Sequence, residues 1–258
     1  MPPTSSTPAM PAGADLPDIV VQRALQAGAG RTSRIVLHGQ DCWLKRRERL
    51  SLRWRLQKGD PGRALARERA ALHLLGKQGL PVAPLLAQGE DYIVIGDCGV
   101  SLARMFRDTE PSSAERMTAF RAAGHALARL HRAGVAHGRP SVKDICYRDG
   151  HIAFIDFERF VPAPAALSAQ RNDLLIFVSS GYAFAQHDAP EIAAACSAYR
   201  DTAPNGIWEA AARLSRRLRW IDRLTRPLQR REARRRPRRA CKEFGAIPLT
   251  LRRFGAWD

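Results

Sequence analysis

Carboxylates and cations cluster in two neighbouring segments of the chain. The first runs from His137 to Cys146 and holds Arg139, Lys143 and Asp144, and the second is Asp156-Phe157-Glu158. Phosphoryl transfer needs a divalent metal held against phosphate, cations that neutralise developing charge, and an aligned nucleophile. Two or three carboxylates with phosphate oxygens suffice for Mg²⁺, which keeps several waters. An isolated Asp-Phe-Glu means little, so the interpretation depends on the combination.

The two segments have the order of the catalytic loop and metal-binding strand end of kinase-fold phosphotransferases. The first reads His-Gly-Arg-Pro-Ser-Val-Lys-Asp-Ile-Cys and resembles the pattern His-Gly-Asp-Leu-x-x-x-Asn-Ile-x. Asp156-Phe157-Glu158 resembles the Asp-Phe-Gly element, with Glu158 in place of glycine. The resemblance implies that Asp144 and Asp156 bind Mg²⁺, with Glu158 as a third candidate ligand. It also implies that Lys143 meets the transferred phosphoryl group.

Arg139 departs from that pattern, because the family has an aspartate there that accepts or orients the proton of the attacking hydroxyl. A guanidinium stays protonated and cannot accept one. In one interpretation Arg139 stabilises charge on the phosphoryl group of an active enzyme. Asp144, Glu158 or Asp173 would then orient the nucleophile. In the other, Arg139 pairs with Asp144 or Asp156 and locks an inactive site, and the sequence leaves both open.

Upstream, a helical pattern over residues 62–76 carries a carboxylate on its apolar stripe. The stripe comprises Leu65, Leu72 and Leu75, and Glu68 falls between the first two. An unpaired buried charge is strongly unfavourable, so we expect a cation to meet Glu68, and Lys45 is the candidate. The alternative is that Glu68 lies at the edge of the stripe and reaches water. By resemblance to kinases, Lys45 would contact nucleotide phosphates and Glu68 would fix it.

Two further features are candidates for cofactor binding. Gly28 and Gly30 precede a predicted hairpin, where the resemblance places a phosphate-covering loop. The full glycine pattern is missing, and a plain turn is the alternative. Asp97 lies in the connector between a β-rich and an α-rich half, beside the cleft expected between them.

Hydrophobic periodicity predicts the elements that position these residues. Short β-like runs are expected from Ile19, with a hairpin over residues 34–45 and a buried strand over 91–96. Residues 115–131 predict a helix that ends at Gly134. Further helices follow, which Pro227 and Pro237 should interrupt. We predict an α+β, protein-kinase-like bilobal fold, with a disordered tail over residues 1–16, a small β-rich N-lobe over 17–97 and a larger, mostly helical C-lobe over 98–258.

The positive charge of the chain is concentrated in two blocks. Lys and Arg number 42 against 25 Asp and Glu, a net charge of +17. Residues 45–69 carry +7 and residues 213–242 carry +12, so the rest is close to neutral. Such blocks favour anionic lipid headgroups, phosphorylated sugars or nucleic acid, and a solvated surface that only aids solubility is the alternative. Nucleic acid ranks lower because Trp220 is the only aromatic residue of the second block. That block also contains an apolar stripe, which indicates a helix docked on the core or lying on a membrane. The stripe is formed by Leu214, Leu218, Ile221 and Leu224.

Cysteine usage and hydropathy indicate the cellular compartment of the protein. The five cysteines are scattered and form neither zinc-type pairs nor a disulfide framework. No apolar run is long enough to span a bilayer. We expect a soluble cytoplasmic protein, and leave open a peripheral contact with anionic membrane at the inner face of the cytoplasmic membrane.

The whole arrangement resembles the bacterial lipopolysaccharide core kinase group, also called the InaA-like family, from about Ile19 to Asp173. The sixteen residues between Asp156 and Asp173 contain no Ala-Pro-Glu element, so we expect no long segment of the kind with which protein kinases dock peptides. The resemblance implies ATP and Mg²⁺ as cofactors. The implied acceptor is an anionic sugar or glycolipid such as the lipopolysaccharide core. A pseudokinase that binds nucleotide or a partner without turnover is the alternative.

Overall fold

The computed structural model describes residues 19–28, 30–48, 60–108, 111–234 and 242–255. The tail predicted over residues 1–16 and the interruption predicted at Pro237 lie outside these ranges. Within them the chain is α+β, with a small antiparallel sheet region followed by a mainly helical part. The predicted α+β class is therefore confirmed.

The first sheet has four antiparallel strands in the order β1-β2-β4-β3. They are β1 (Thr32–Leu37), β2 (Gln40–Arg46), β3 (Leu85–Gln88) and β4 (Tyr92–Gly96). The predicted hairpin is β1-β2, and its turn residues His38 and Gly39 both have positive φ, 50° and 76°, as tight hairpin turns require. Every residue of β4 is buried, which confirms that prediction. The β-like pattern expected from Ile19 was wrong at its start, since α1 (Ile19–Gln26) is a helix.

Helix α2 (Pro61–Lys77) confirms the stripe predicted over residues 62–76. The carboxylate of Asp60 caps its N-terminus by accepting a hydrogen bond from the Gly62 backbone at 2.9 Å. The leucines of the stripe are buried together with Glu68. This buried face positions Glu68 against the sheet.

The second sheet is small and brings together the two acidic segments. Its antiparallel strands are β5 (Val100–Ser101), β6 (Ile145–Arg148) and β7 (His151–Phe154). Ile145 pairs with Phe154, so the residue before β6 and the residues after β7 meet at one end of the hairpin. The Ile155 backbone donates to the Asp144 carbonyl at 2.9 Å. Pairing of these strands thus places Asp144 and Asp156 beside each other.

The helical part comprises α3 (Leu102–Met105), α4 (Ser113–Arg132), α5 (Leu167–Ala185), α6 (Pro190–Thr202), α7 (Ile207–Arg217), α8 (Trp220–Arg234) and α9 (Glu243–Arg253). Helix α4 confirms the helix predicted over residues 115–131, and Gly134 follows it with φ 74°. Helices α4 and α6 pack so closely that a Cβ on Gly124 would lie 2.1 Å from the Ala195 carbonyl oxygen. None of the helices in the described part of the chain is long and apolar enough to cross a bilayer.

One expectation for the basic segment was wrong. Pro227 lies inside α8 without interrupting it, although a proline lacks the backbone N–H and its ring crowds the carbonyl four positions earlier. Leu224 of the predicted apolar stripe is 67% exposed, which departs from the core-docked alternative at this residue and is compatible with the membrane-surface alternative. Leu214, Leu218 and Ile221 of that stripe do turn inward and line a cavity.

Candidate functional site

Lys45 lies at the centre of the acidic residues. It belongs to β2, flanked by Thr32 of β1 and Ile93 of β4. Its Nζ lies 2.5 Å from Glu68 Oε2, 2.9 Å from Asp156 Oδ1 and 3.2 Å from Glu158 Oε1. The predicted pairing of Lys45 with Glu68 is confirmed, and the alternative of a water-exposed Glu68 is wrong.

Glu68 is a buried carboxylate that depends on its cation. Its side chain is 1% exposed. Burial raises the pKa of Glu68, and the ammonium of Lys45 offsets only part of that effect. A buried ion whose partner is removed is strongly destabilising. The pair therefore joins α2 to the sheet and fixes where the Lys45 ammonium lies.

Asp156 follows β7 in a left-handed backbone conformation, with φ 66°. Aspartate tolerates this region better than most residues, and such conformations cluster at functional sites. Burial raises the pKa of Asp156. The nearby cations, first Lys45 and then Arg31 and Arg139, outweigh this effect, so the pKa lies below its usual value. Asp156 is thus an ionised carboxylate at neutral pH.

Asp144 precedes β6 and is buried with one oxygen unpaired. Its Oδ2 has no hydrogen-bond partner among the described residues. Burial raises the pKa of Asp144 to about 7, while Lys143 acts in the opposite direction and Asp156 adds to the rise. A buried oxygen without a partner is unfavourable. Such an oxygen beside an ionised carboxylate fits a hard divalent cation such as Mg²⁺.

The structure groups the acidic residues differently from the sequence prediction. Candidate ligand atoms of Glu68, Asp156 and Glu158 lie within 4.8 Å of one another. Glu68 takes the place that the sequence gave to Asp144, whose carboxylate is not in that group. Lys45 contacts all three carboxylates of that group, whereas Asp144 makes no ion pair with Lys45 among the described residues. The metal assignments stay predictions.

Glu158 belongs to a cationic network that the sequence did not reveal. Its carboxylate pairs with Arg31 and Lys45, and Arg67 of α2 donates to its backbone carbonyl at 3.0 Å. These contacts join the residue before β1, strand β2, helix α2 and the segment after β7. Arg31 had no signal in the sequence, because nothing in its local pattern indicates a partner more than a hundred positions away.

Arg139 and Lys143 are two cations at the edge of the site. Arg139 Nη2 lies 3.9 Å from Asp156 Oδ2, and its side chain is 44% exposed. That separation allows electrostatic attraction but is too long for a hydrogen bond. Lys143 is exposed, and no carboxylate of the described residues lies within ion-pair distance of it. Both side chains are placed to meet an anion.

The loop before these cations is held by Asp173, which is fully buried. Its two oxygens accept from the backbone N–H groups of His137 at 2.6 Å and Gly138 at 2.9 Å. The His131 ring lies 3.5 Å from the same carboxylate and 2.7 Å from the Tyr199 hydroxyl. Asp173 therefore supports the loop, and because both of its oxygens are engaged, the structure favours Asp144 or Glu158 among the three candidates for orienting a nucleophile.

His137 and Gly138 complete this support. The His137 ring lies 2.9 Å from the Ile155 carbonyl oxygen, so this histidine connects the loop to the residue that follows β7. Gly138 has φ 92°, and a Cβ there would lie 2.0 Å from the Arg159 carbonyl oxygen. Only glycine fits this approach.

A cavity of about 430 Å³ lies beside the acidic residues, between the two sheets. Its wall includes Lys45, Asp97, Asp144 and Asp156. Arg31 and Thr32 form the part near the predicted glycine loop, and Gly28 and Gly30 are absent from the lining among the described residues. The volume suits a small-molecule ligand.

Asp97 is held in the cavity wall by its neighbours. Its carboxylate accepts from Arg148 at 2.7 Å, Trp43 at 3.3 Å and the Gly99 backbone at 3.2 Å. These bonds tie the end of β4 to the β6-β7 hairpin. Asp97 thus supports the junction between the two sheets, and its cofactor role stays a prediction.

A second cavity, of about 570 Å³, adjoins the first and is strongly basic. The two cavities share Arg31, Lys45, Lys143 and Asp156. The second adds further arginines, namely Arg46, Arg47, Arg63, Arg67, Arg139 and Arg159. This concentration of cations favours a polyanion.

An Ala-Pro-Glu tripeptide lies further along the chain than the sequence interpretation considered. Ala189-Pro190-Glu191 begins α6, and buried Glu191 pairs with Arg116 of α4 at 3.1 Å. Helix α5 fills most of the interval between Asp173 and this tripeptide. The interval is therefore helical and does not form an extended peptide-docking segment.

No protein-family model matches the chain. A stretch of 120 residues is 28% identical to a protein of Haemophilus influenzae described as an uncharacterized protein. The match covers 46% of this chain and 50% of that protein. It thus spans about half the length of the relative, whose description assigns no activity.

Proposed function

We propose that the chain is a kinase-like phosphotransferase of bilobal fold that uses ATP and Mg²⁺. The observation that carries the proposal is the contact of Lys45 with both Glu68 and Asp156, beside the unpaired oxygen of Asp144. This arrangement joins a strand lysine, a helix glutamate and two strand-end carboxylates around one cavity. It matches the parts that phosphoryl transfer requires. The acceptor is a sugar or lipid-linked sugar, such as the lipopolysaccharide core.

Each residue has a defined task in the proposed reaction. Lys45 binds nucleotide phosphates, and Glu68 holds its ammonium in position. Asp144 and Asp156 would hold Mg²⁺, with Glu158 as a further carboxylate at the edge of the site. The metal supplies charge neutralisation on the phosphate oxygens. Asp97, in the wall of the proposed nucleotide cavity, is a supporting residue.

Arg139 and Lys143 stabilise negative charge on the transferred group. Arg139 cannot remove a proton, and proton removal is a smaller part of phosphoryl transfer than positioning and charge stabilisation. Its partly exposed guanidinium near Asp156 is consistent with this role. The proposed enzyme therefore works by orientation and electrostatics.

A pseudokinase is the second candidate function. Arg139 replaces the proton acceptor, and Lys45 is already occupied by three carboxylates. Both observations favour a chain that binds nucleotide or a partner without turnover. Phosphate transfer from labelled ATP separates the two candidates, since only the first requires it.

The basic segment supports a peripheral contact with anionic membrane on its cytoplasmic side. Trp220, Leu224 and Leu228 are 56%, 67% and 41% exposed and follow one another at four-residue spacing on α8, which puts them on one face. The exposed residues around them are mainly arginines. Apolar side chains with a tryptophan, bordered by cations, suit an interfacial helix on anionic lipid. Nucleic acid remains the lower-ranked partner.

Thermal denaturation with ATP, with and without Mg²⁺, tests the nucleotide site. A ligand at a hundred times its Kd adds about 2.7 kcal/mol to the unfolding free energy, which raises the Tm by roughly 5–10 °C in a chain of this size. Asp156→Asn should remove the part of the shift that depends on Mg²⁺. Asp149→Asn, at the exposed turn of the β6-β7 hairpin, is the matched control and should keep it. A full shift in Asp156→Asn would contradict the metal assignment.

Labelled phosphate transfer to a lipopolysaccharide extract tests the role of Arg139. An active enzyme should label the extract, and Arg139→Ala should lose that labelling. If the wild type does not label the extract and Arg139→Asp does, the result would support the pseudokinase instead.

A further inference from the structure

A third cavity, of about 730 Å³, lies among the helices and ends at the proposed catalytic loop. Its walls come from α5, α7, α9 and the start of α8. Most of the side chains in these walls are apolar, among them Leu175, Phe184, Leu218, Ile221 and Ile247. The loop residues Arg139, Ser141 and Lys143 also contribute to the lining. The cavity is thus mainly apolar and includes two cations of the proposed catalytic loop.

Lys143 is common to all three cavities. It lines the cavity beside the acidic residues, the basic cavity and the apolar one. Arg139 lines the basic and the apolar cavities. A molecule that extends from the apolar cavity past these cations reaches the place where the proposed nucleotide phosphates lie. That position is the one required of a phosphate acceptor.

The interior of the apolar cavity offers little hydrogen bonding. Ser180 accepts from the Val142 backbone and donates to the Phe177 carbonyl, and Thr250 donates to the Ala246 carbonyl. These hydroxyls are engaged within the protein. Ser215, 1% exposed, has a fully buried hydroxyl oxygen that lacks a partner among the described residues. Besides Arg139 and Lys143, the other polar side chains of the lining are Ser141, Ser179 and Glu243.

This scarcity of free polar groups decides the kind of occupant. A peptide would bring backbone N–H and C=O groups into the cavity, and each would be costly without a hydrogen bond. A hydrocarbon chain needs no such partners and gains free energy by leaving water. Ser215 can serve a single polar atom, such as the oxygen that joins a chain to its head group.

We propose that this cavity binds the hydrocarbon chain of the phosphate acceptor, which makes the acceptor a lipid with a hydroxyl-bearing head at Arg139 and Lys143. The inference rests on the proposed function and narrows its substrate class. The acceptor hydroxyl oxygen forms a bond to the γ-phosphorus of ATP, and the bond from that phosphorus to the β–γ bridging oxygen breaks. The electron pair of the broken bond stays with ADP, and the hydroxyl proton passes to water.

The test is calorimetric binding of n-alkyl β-D-glucosides to the full chain without nucleotide, below their critical micelle concentrations. Hexyl, heptyl and octyl glucoside carry the same sugar head, and glucose is the control without a chain. Burial of each further methylene is worth about 0.8 kcal/mol, so affinity should rise about fourfold per carbon. Glucose should show no binding at the same concentrations. Equal affinities across the series would overturn the proposal.

Two variants that fill the cavity make the test specific. Ser179→Phe adds volume from α5, and Ile247→Phe adds volume from α9, a second helix of the lining. Each should weaken octyl glucoside binding at least tenfold while the far-UV circular dichroism stays that of the wild type. Ser197→Phe, at an exposed position of α6 outside this cavity, should bind as the wild type does. Unchanged binding in the cavity variants, or equal loss in Ser197→Phe, would overturn the assignment.

The same variants separate this inference from the proposed function. Ser179→Phe should keep the thermal shift with ATP and Mg²⁺, because its position lies outside the nucleotide cavity. If ATP and Mg²⁺ raise the Tm of the wild type but glucoside affinity does not depend on chain length, only the lipid site is rejected. If glucoside affinity depends on chain length but ATP does not raise the Tm of the wild type, the kinase proposal is rejected and a site for an apolar chain remains.

Discussion

Replacement of Lys45 by methionine tests the centre of the site. The change keeps the length of the side chain and removes its charge, so Glu68, Asp156 and Glu158 lose the ammonium now 2.5, 2.9 and 3.2 Å from them. Removal of one partner from a buried ion pair costs about 3–5 kcal/mol, because the other charge stays buried without compensation. We expect the unfolding free energy to fall by this amount, since Glu68 is only 1% exposed.

Two further variants resolve the origin of that loss. Glu68→Gln leaves Lys45 with its two other carboxylates, so it should cost less, about 1–2 kcal/mol. The double variant should be more stable than Lys45→Met alone, because it no longer buries the uncompensated charge of Glu68. This coupling is what a double-mutant cycle measures.

The loss in Lys45→Met should depend on pH. Burial raises the pKa of Glu68, and removal of Lys45 raises it further. A carboxylate whose pKa is higher in the folded than in the unfolded state binds more protons when folded, so stability falls as pH rises between the two values. Lys45→Met should therefore be less destabilised at pH 5 than at pH 8.

Urea denaturation followed by circular dichroism at both pH values measures these changes. Lys77→Met, at an exposed position in the last turn of α2, is the control for loss of a lysine charge and should be close to wild type. A loss of less than about 1 kcal/mol in Lys45→Met, the range of an exposed ion pair, would refute the reasoning. Equal losses at pH 5 and pH 8 would refute the part that concerns Glu68.

Three other predictions concern single groups. Burial raises the pKa of Asp144 to about 7, so the wild type should lose stability as pH rises from 5 towards 7, and Asp144→Asn should lose less over that range in urea denaturation. Asp173→Asn replaces a carboxylate that accepts two backbone hydrogen bonds. It should lower the unfolding free energy by about 1.5–3 kcal/mol, as measured by the same assay. Leu224→Glu should weaken sedimentation with anionic vesicles, whereas Val36→Glu, at an exposed strand position, should leave it unchanged; equal binding by both variants would reject α8 as the contact.

Local patterns were sufficient to predict part of the site. The stripe of α2 indicated that Glu68 turns towards the interior, where a buried charge requires a cation, and Lys45 was the candidate for that cation. The hairpin residues His38 and Gly39 and the buried strand β4 also follow from local spacing. These features depend on residues close together in the sequence, or on the rule that a buried charge needs a partner of opposite charge.

Other features depend on tertiary packing and had no local signal. The pairing of Arg31 with Glu158 and the support of the His137 backbone by Asp173 join residues far apart in the sequence. Leu224 fits the apolar stripe of its helix by spacing, yet faces outward, because the face that a helix buries depends on what packs beside it. The apolar cavity likewise arises from four helices that no single stretch of sequence describes.

The three carboxylates around Lys45 have a consequence for ligand binding. One ammonium faces three acidic groups, so a nucleotide phosphate tail that arrived alone would compete with these carboxylates for Lys45. A divalent ion held by the carboxylates weakens that competition, and the tail in turn supplies oxygen atoms that the ion needs. In the proposed role, nucleotide and ion are therefore thermodynamically linked, and each strengthens the affinity of the other by the same factor.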